Sequence, residues 1–455
     1  MDKRSWFCCG AVCLLAGLTG AATPARADDR PRREPTEGPL RAVTRDEQEA
    51  AEAIRAAGGC ACVGEGGHVT SVNGGIGRGL GDADLVHLAK LPHVTRLALC
   101  HARTTDAGLT HLRGLARLKV LQLWGARVTA KGLKYLGALK SLEDLELIRS
   151  TVDDTGLAEL AGLTNLTRLV LAECPVTDAG MRHLRGMKKL TILSLGLTKA
   201  GDTGAADLAV LTSLEELTLG TSATDASTRH LKCLRQLKYL YLPTGIGDAG
   251  LAELRGLSNL EVVGELKGVT DAGIRHLSGM PKLTKLSLRD CAITDDGLVV
   301  VARLKHVGDL DLLGLPITDA GLAHLREMPQ LESLDLSRTR VTDAGMKHLK
   351  ALPSVKMLQL TETGITDRGL GDLARLENLE GLWLNYTAVT DAGVAKLKPL
   401  RKLAGLHLNH TQITDAVIPH LAELEGLEYV AREGTRMTYE GLLEIHRRRP
   451  RLRSE

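Results

Sequence analysis

One short run, Val/Ile-Thr-Asp-Ala-Gly-Leu, returns through almost the whole chain at a near-constant interval. Its glycine position falls at residues 84, 108, 132, 156, 180, 204, 227, 250, 273, 297, 321, 345, 369, 393, 417 and 441. The register persists where the glycine does not, at Asp84, Ser227 and Val417. Twelve of the fifteen intervals are 24 residues and three are 23. A full unit reads L-x-x-L-x-L-x-x-T-x-V-T-D-A-G-L-x-H-L-x-x-L-x-x. Leu331, Leu334, Leu336 and Thr339 followed by Val341 to Leu349 show it closely, with Met346 after the glycine. A chain of 455 residues could divide into several domains. The period replaces that expectation with one elongated array, because a single coil cannot bury its leucines and stacking must supply the core.

The pattern is that of a leucine-rich repeat. In Leu334-Asp335-Leu336 the leucines alternate around an outward residue, which predicts a short parallel strand. Thr339 marks the turn, where its hydroxyl can satisfy backbone that stacking would bury. Thr342 or Asp343 then caps a helix carrying Met346 and Leu349, and Gly345 permits close approach near its start. The expected class is an α/β leucine-rich-repeat solenoid, curved, with a concave parallel β-sheet and convex helices. Its boundaries are a signal peptide at 1–27, a flexible leader at 28–43, an N-terminal cap and first strand at 44–83, about sixteen registers over 84–441, and a C-terminal cap with basic tail at 442–455. Thr44 and Glu47 suit a capping box, with a helix over Gln48 to Ala57 ending at Gly58-Gly59. Val69 to Val72 reads as the opening strand. The three 23-residue units, about 205–227, 228–250 and 251–273, are consecutive; each loses a residue between strand and glycine. With Glu265 where an inward leucine belongs, they predict a local irregularity in curvature or strand register.

The N-terminus reads as an export signal: Lys3 and Arg4, an apolar run from Trp6 to Gly20, and the cleavage pattern Ala25-Arg26-Ala27. The chain is therefore expected outside the cytoplasm, periplasmic or secreted, with no transmembrane segment after processing. Cys60, Cys62, Cys100, Cys174, Cys233 and Cys291 remain after processing. They are too widely spaced for a disulfide-dense scaffold, and a bridge at Cys60-x-Cys62 stays open. A net charge of +3 gives no reason to expect nucleic-acid binding.

No catalytic, cofactor or metal set is expected. Eight of the fifteen histidines, at 87, 111, 183, 230, 276, 324, 348 and 420, occupy one repeat position. On successive helices they would be too far apart for one tetrahedral ion and read as half-exposed packing residues. The repeat aspartates Asp106, Asp178, Asp271, Asp295, Asp319, Asp343, Asp367, Asp391 and Asp415 read as helix-start caps. No nucleophile elbow, Walker sequence or zinc-protease motif occurs. Cys174 and Cys291 take the turn position usually held by Thr, where a small buried thiol fits.

Aromatic residues are scarce, 2% of the chain, as suits a core built from leucine. Once Trp6 and Phe7 leave with the signal, most of the rest map to strand or strand-end positions on the concave face: Trp124, Tyr239, Tyr241, Trp383, Tyr386 and Tyr429. Rings the core does not need are candidate recognition anchors, although strands also favour aromatics for their own sake. The densest group places Trp383, Asn385, Tyr386, His407, Asn409, His410 and Tyr429 on three adjacent strands about 4.8 Å apart. Asp309, Asp311 and Asp335, bordered by Lys285 and Arg289, form an acidic segment. The basic run from His446 to Arg453 reads as a solubilising tail.

These repeats resemble those of secreted leucine-rich-repeat proteins common in environmental bacteria, especially planctomycete-like genomes, which share the T-D-A-G-L signature. The resemblance covers about residues 44–455 and implies an exported, non-enzymatic scaffold that binds an unknown protein or envelope macromolecule. An envelope-organising repeat protein without one dedicated ligand is the alternative. The unit more distantly resembles the repeat domain of F-box proteins, but no F-box-like module precedes it, so their role in substrate selection is not carried over. Internalin-like adhesins share the general solenoid, usually with 22-residue units; without their further module and anchor, host adhesion is not carried over either.

Overall fold

The computed structural model describes residues 44–75, 79–100, 103–264 and 266–454, with the side chain of Cys100 left aside. The export signal, the leader and Glu265 lie outside the described residues. The chain divides into two compact units, one ending at Gly245 and the other beginning at Ile246.

The first unit opens with helix α1, Arg45–Ala56. The capping box forms as the sequence predicts: Thr44 Oγ1 accepts from the Glu47 amide, and Glu47 returns a carboxylate oxygen to the Thr44 amide. Ala51 and Ile54 are buried. The hairpin that follows exceeds the expected single strand, because β1 (Cys60–Val63) pairs antiparallel with β2 (Val69–Asn73). The parallel strands are β3 (Arg96–Cys100), β4 (Val120–Trp124), β5 (Asp144–Glu146), β6 (Arg168–Val170), β7 (Ile192–Ser194), β8 (Glu216–Thr218) and β9 (Tyr239–Tyr241). Leu97, Leu121, Leu145, Leu169, Leu193, Leu217 and Leu240 stand in one register across them.

The second unit repeats the plan with β10 (Val262–Val263), β11 (Lys285–Ser287), β12 (Asp309–Asp311), β13 (Ser333–Asp335), β14 (Met357–Gln359), β15 (Gly381–Trp383), β16 (Gly405–His407), β17 (Tyr429–Ala431) and β18 (Arg453–Ser454). Its inward row, Val263, Leu286, Leu310, Leu334, Leu358, Leu382, Leu406 and Val430, is buried throughout. Helices such as Asp319–Leu325 close the other side with Leu322 and Leu325 inward. Each fully buried leucine contributes roughly 1.5–3 kcal/mol, and only because a neighbouring coil covers it.

The turn chemistry also appears. Thr339 Oγ1 donates to the Leu336 carbonyl at 2.6 Å, and Thr387 and Thr411 repeat the bond. At Cys174 and Cys291 the thiol instead reaches a carbonyl of the preceding coil, Leu147 or Leu266. The residue before the turn is left-handed in most units, at Leu197, Arg338, Glu362, Tyr386 and His410, with glycine at 125, 314 and 434. Among the described residues, the short units holding β8 and β9 have no left-handed residue at this turn. Their missing residue is taken from the strand exit, and pairing from β7 through β9 stays in register. In these two units the irregularity therefore lies in the turn and leaves the ladder in register, whereas the third short unit holds the two-residue strand β10.

The aspartates do not cap their own helices. Thr342 caps Asp343–Leu349 by accepting from the Ala344 amide. Asp343 reaches into the next coil, where Thr366 donates its amide to Oδ1 (2.9 Å) and its hydroxyl to Oδ2 (2.6 Å). The same two-bond staple joins Asp106 to Thr129, Asp319 to Thr342, Asp391 to Thr414 and Asp415 to Thr438. Sequence reasoning assigned the carboxylate to its own helix because short-range capping is the commoner use of Asp.

The C-terminal basic run is folded, where a solvated tail was expected. It forms the end of helix Tyr439–Arg448 and strand β18, with Leu452 buried. Arg449 spreads its guanidinium over the carbonyls of Ala422, Leu424, Glu425 and Leu427. The five-donor fork thus ties the coil of β17 to the coil of β18 that follows it. Among the described residues no helix is long and apolar enough to cross a membrane.

Candidate recognition surface

The outward positions of each strand form straight rows across the sheet, so one repeat's choice of side chain sits beside the next. In β14 to β17 one row reads Met357, Gly381, Gly405, Tyr429 and the next Gln359, Trp383, His407, Ala431. Trp383 and His407 stack with ring centroids 4.8 Å apart and planes within 14°. Tyr429 adjoins His407 at 5.2 Å, tilted by 50°. At the strand exits Tyr386 stacks on His410 at 4.3 Å, and Tyr386 is 54% exposed. The second unit thus brings together the whole C-terminal group expected from sequence.

Two glycines missed by sequence reasoning make room for it. A Cβ on Gly381 would lie 2.8 Å from Trp383 Cζ3 and 2.9 Å from Met357 Cε, so any side chain there would displace the indole. Gly405 has nothing within 4 Å of its missing Cβ and forms open floor between Gly381 and Tyr429. The signal was present in Gly-Leu-Trp and Gly-Leu-His, where glycine takes an outward position that needs no unusual backbone.

Asn385 and Asn409 are partly committed to the scaffold. The Asn409 amide donates to Asn385 Oδ1 at 2.9 Å, and the Glu433 amide to Asn409 Oδ1 at 2.7 Å. Their carbonyl oxygens join coils, which leaves the Nδ2 groups as donors on the surface.

The other expected anchors lie in the first unit. Trp124 is on the sheet face but only 8% exposed, a correction to the exposed position assigned from alternation. Its Nε1 donates to Glu146 Oε2 at 2.8 Å, and Arg168 closes over Glu146 and Asp144. Burial pushes the Asp144 carboxyl up despite Arg168 beside it. Trp124 therefore belongs to a closed polar cluster. Tyr239 and Tyr241 are half-buried. The Tyr241 hydroxyl is enclosed without a hydrogen-bond partner, and burial pushes it above the ordinary tyrosine range.

The acidic segment is largely neutralised. Lys285 pairs with Asp309 at 2.9 Å and Arg289 with Asp311 at 3.2 Å. Asp335 is 8% exposed and accepts from the Ser337 amide, but burial still raises its pKa. A raised folded-state pKa means the penalty is absent below the ordinary aspartate range and grows as pH rises through the folded value. Asp335→Asn keeps an Oδ1 acceptor and removes the charge. It is expected to raise the urea midpoint at pH 7 and leave it nearly unchanged at pH 3.

All eight repeat-position histidines are half-buried, as expected of packing residues. Burial, followed by Lys347, lowers the pKa of His348.

A family profile described as Leucine Rich repeat matches residues 162–184, 279–302 and 328–350. The comparison with curated proteins finds no match. Among solved structures, an internalin of Listeria monocytogenes aligns over 71% of this chain and 88% of its own, with 25% identity and a TM-score of 0.56. A leucine-rich-repeat protein of Leptospira interrogans aligns over 76% and 91%, with 18% identity and a TM-score of 0.52. The ectodomain of the Arabidopsis receptor kinase HAESA, solved with a peptide hormone, aligns over 86% and 74%, with 15% identity and a TM-score of 0.50. The chain carries leucine-rich repeats and has the leucine-rich-repeat solenoid fold, one typical of protein-binding scaffolds.

Proposed function

We propose that the protein is an exported, non-enzymatic scaffold that recognises a protein or other macromolecule through the sheet face, centred on Trp383, Tyr386, His407, His410 and Tyr429. The observation that carries this reading is the ring row on β15 to β17, stacked and half-exposed over glycines that clear space for it. A leucine ladder already fills the core, so these rings are not needed to close it. The left-handed turn under Tyr386 and His410 recurs in many units and is not itself the signal; the aromatic pair placed on it is. Aromatic side chains add large contact area at low entropic cost, which suits interface anchors. Asn385 and Asn409 supply donors between the two ring rows.

Crosslinking and pull-down from the native envelope test the reading. Trp383→Ala/Tyr386→Ala is expected to lose partners that the wild type retains. An unchanged partner set would contradict the patch and favour an envelope-organising role without a dedicated ligand.

A further inference from the structure

We infer that Glu47, His68 and His93 form a binding site for a divalent first-row transition cation, Zn²⁺ foremost, which clips helix α1 to the hairpin and the first repeat. The three residues come from separate segments: α1, the turn before β2 and the loop before β3. One donor atom from each lies within 4.8 Å of the others. His68 Nδ1 is 3.0 Å from Glu47 Oε2 and 3.3 Å from Oε1. Two donors on one tetrahedral ion, each about 2.0–2.1 Å from it, are themselves about 3.3 Å apart. The imidazole and carboxylate therefore already sit at ligand spacing.

Glu47 is 3% exposed, whereas both histidines are half-exposed, so the site opens to solvent on the imidazole side. The two rings stack with centroids 3.8 Å apart and planes 23° apart. An ion must lie in the plane of each ring it binds, so both rings turn about Cβ–Cγ on loading. Binding through Nδ1 replaces the His68 contact with Glu47 and leaves the ring neutral with its one N–H on Nε2. A neutral ring only changes tautomer, and a doubly protonated one releases its Nδ1 proton to solvent. Water supplies the fourth ligand. Two imidazoles with one carboxylate favour zinc-like cations over Ca²⁺ or Mg²⁺, which prefer oxygen-rich shells.

Arg117 opposes loading. Its Nη1 is 3.0 Å from His93 Nδ1, in an exposed contact, so it competes for a ring nitrogen and adds a positive charge. No spacing in the chain announces this set. Residues 47, 68 and 93 share no repeat position, and neither histidine is among the eight periodic ones.

The test titrates Zn²⁺ and Co²⁺ into the metal-stripped full chain by calorimetry and by Co²⁺ absorption, with Ca²⁺ and Mg²⁺ as controls. One ion per chain is expected, with the intense visible bands of four-coordinate Co²⁺ and no calcium or magnesium binding. His68→Asn/His93→Asn should weaken the site at least 100-fold. Glu47→Gln retains a side-chain acceptor for the Thr44 amide, so the cap stays folded by circular dichroism while affinity falls about tenfold or more. Arg117→Gln should tighten binding a few-fold, which a purely packing role for the cluster does not predict. Absence of saturable one-to-one binding would overturn the inference. So would a site of unchanged affinity in the double histidine variant, because the ion would then sit elsewhere.

Discussion

Gly345→Ala is expected to destabilise the second unit by about 2 kcal/mol, and to lose most of that cost when Asp319 is also replaced by Ala. A Cβ at 345 would lie 2.4 Å from Asp319 Oδ1 and 2.9 Å from Leu322 Cδ1. The carboxylate cannot swing aside freely, because the Thr342 amide and hydroxyl hold its two oxygens at 2.8 and 2.6 Å. The recurring glycine is thus the space in which the preceding coil's aspartate makes its staple. Asp319→Ala alone removes both bonds, at about 1–2 kcal/mol for this partly solvated pair, but vacates the space the new methyl needs. Urea unfolding of the four proteins in the cycle, with hydrogen exchange at the Thr342 amide, measures the coupling. Fully additive costs would contradict the shared-space explanation.

Departures within the chain show how the staple adapts. Where Ala130 replaces the aspartate, the next threonine becomes Asp153, which caps its own helix through the Gly156 amide. Where Gly201 replaces the threonine, Thr203 supplies the hydroxyl to Asp178. Where Ser227 and Val417 replace the glycine, the Asp202–Thr224 and Asp391–Thr414 staples still form. Ser227 lies in a unit one residue shorter, and Val417 in a helix that opens with a 3₁₀ turn over Asp415–Val417; a Cβ is accommodated there with an altered local backbone.

Arg449→Ala is expected to cost about 3 kcal/mol, expressed as loosening of the last coil before the rest of the second unit unfolds. Four carbonyls accept from its fork, with the shortest contacts 2.7 Å to Leu424 and Leu427. Removing the guanidinium takes away the donors that join these carbonyls to the following coil. Arg449→Lys should recover little, because an ammonium is a point donor and cannot span the four positions. Hydrogen exchange over 418–454 and the urea midpoint check both variants. An Arg449→Ala protein as stable as wild type would show that the terminal run is solvated surface after all.

The fold was legible because each leucine, glycine and threonine repeats a local decision many times. The period alone placed the strands and helices, and Thr339 announced its own turn bond. What stayed hidden depends on side chains meeting across coils. Asp319 looks like a cap until Thr342, 23 residues later, is seen to donate to it. Alternation put Trp124 on the correct face, but could not reveal Glu146 and Arg168 closing over it. In the C-terminal group, alternation identified the rings, while the roles of Gly381 and Gly405 required the register between neighbouring strands. His68 and His93 lie outside the repeat phase, so periodicity was silent about them.

The proposed role of the β15–β17 ring row is tested most directly by quantitative pull-down from the native envelope, comparing three proteins of verified fold. Wild type and Lys347→Ala/Lys350→Ala, altered on the helix side, are expected to recover the same partner in similar yield. Trp383→Ala/Tyr386→Ala is expected to recover at least tenfold less. Equal recovery by all three, or loss only in the helix-side variant, would contradict recognition through the sheet face.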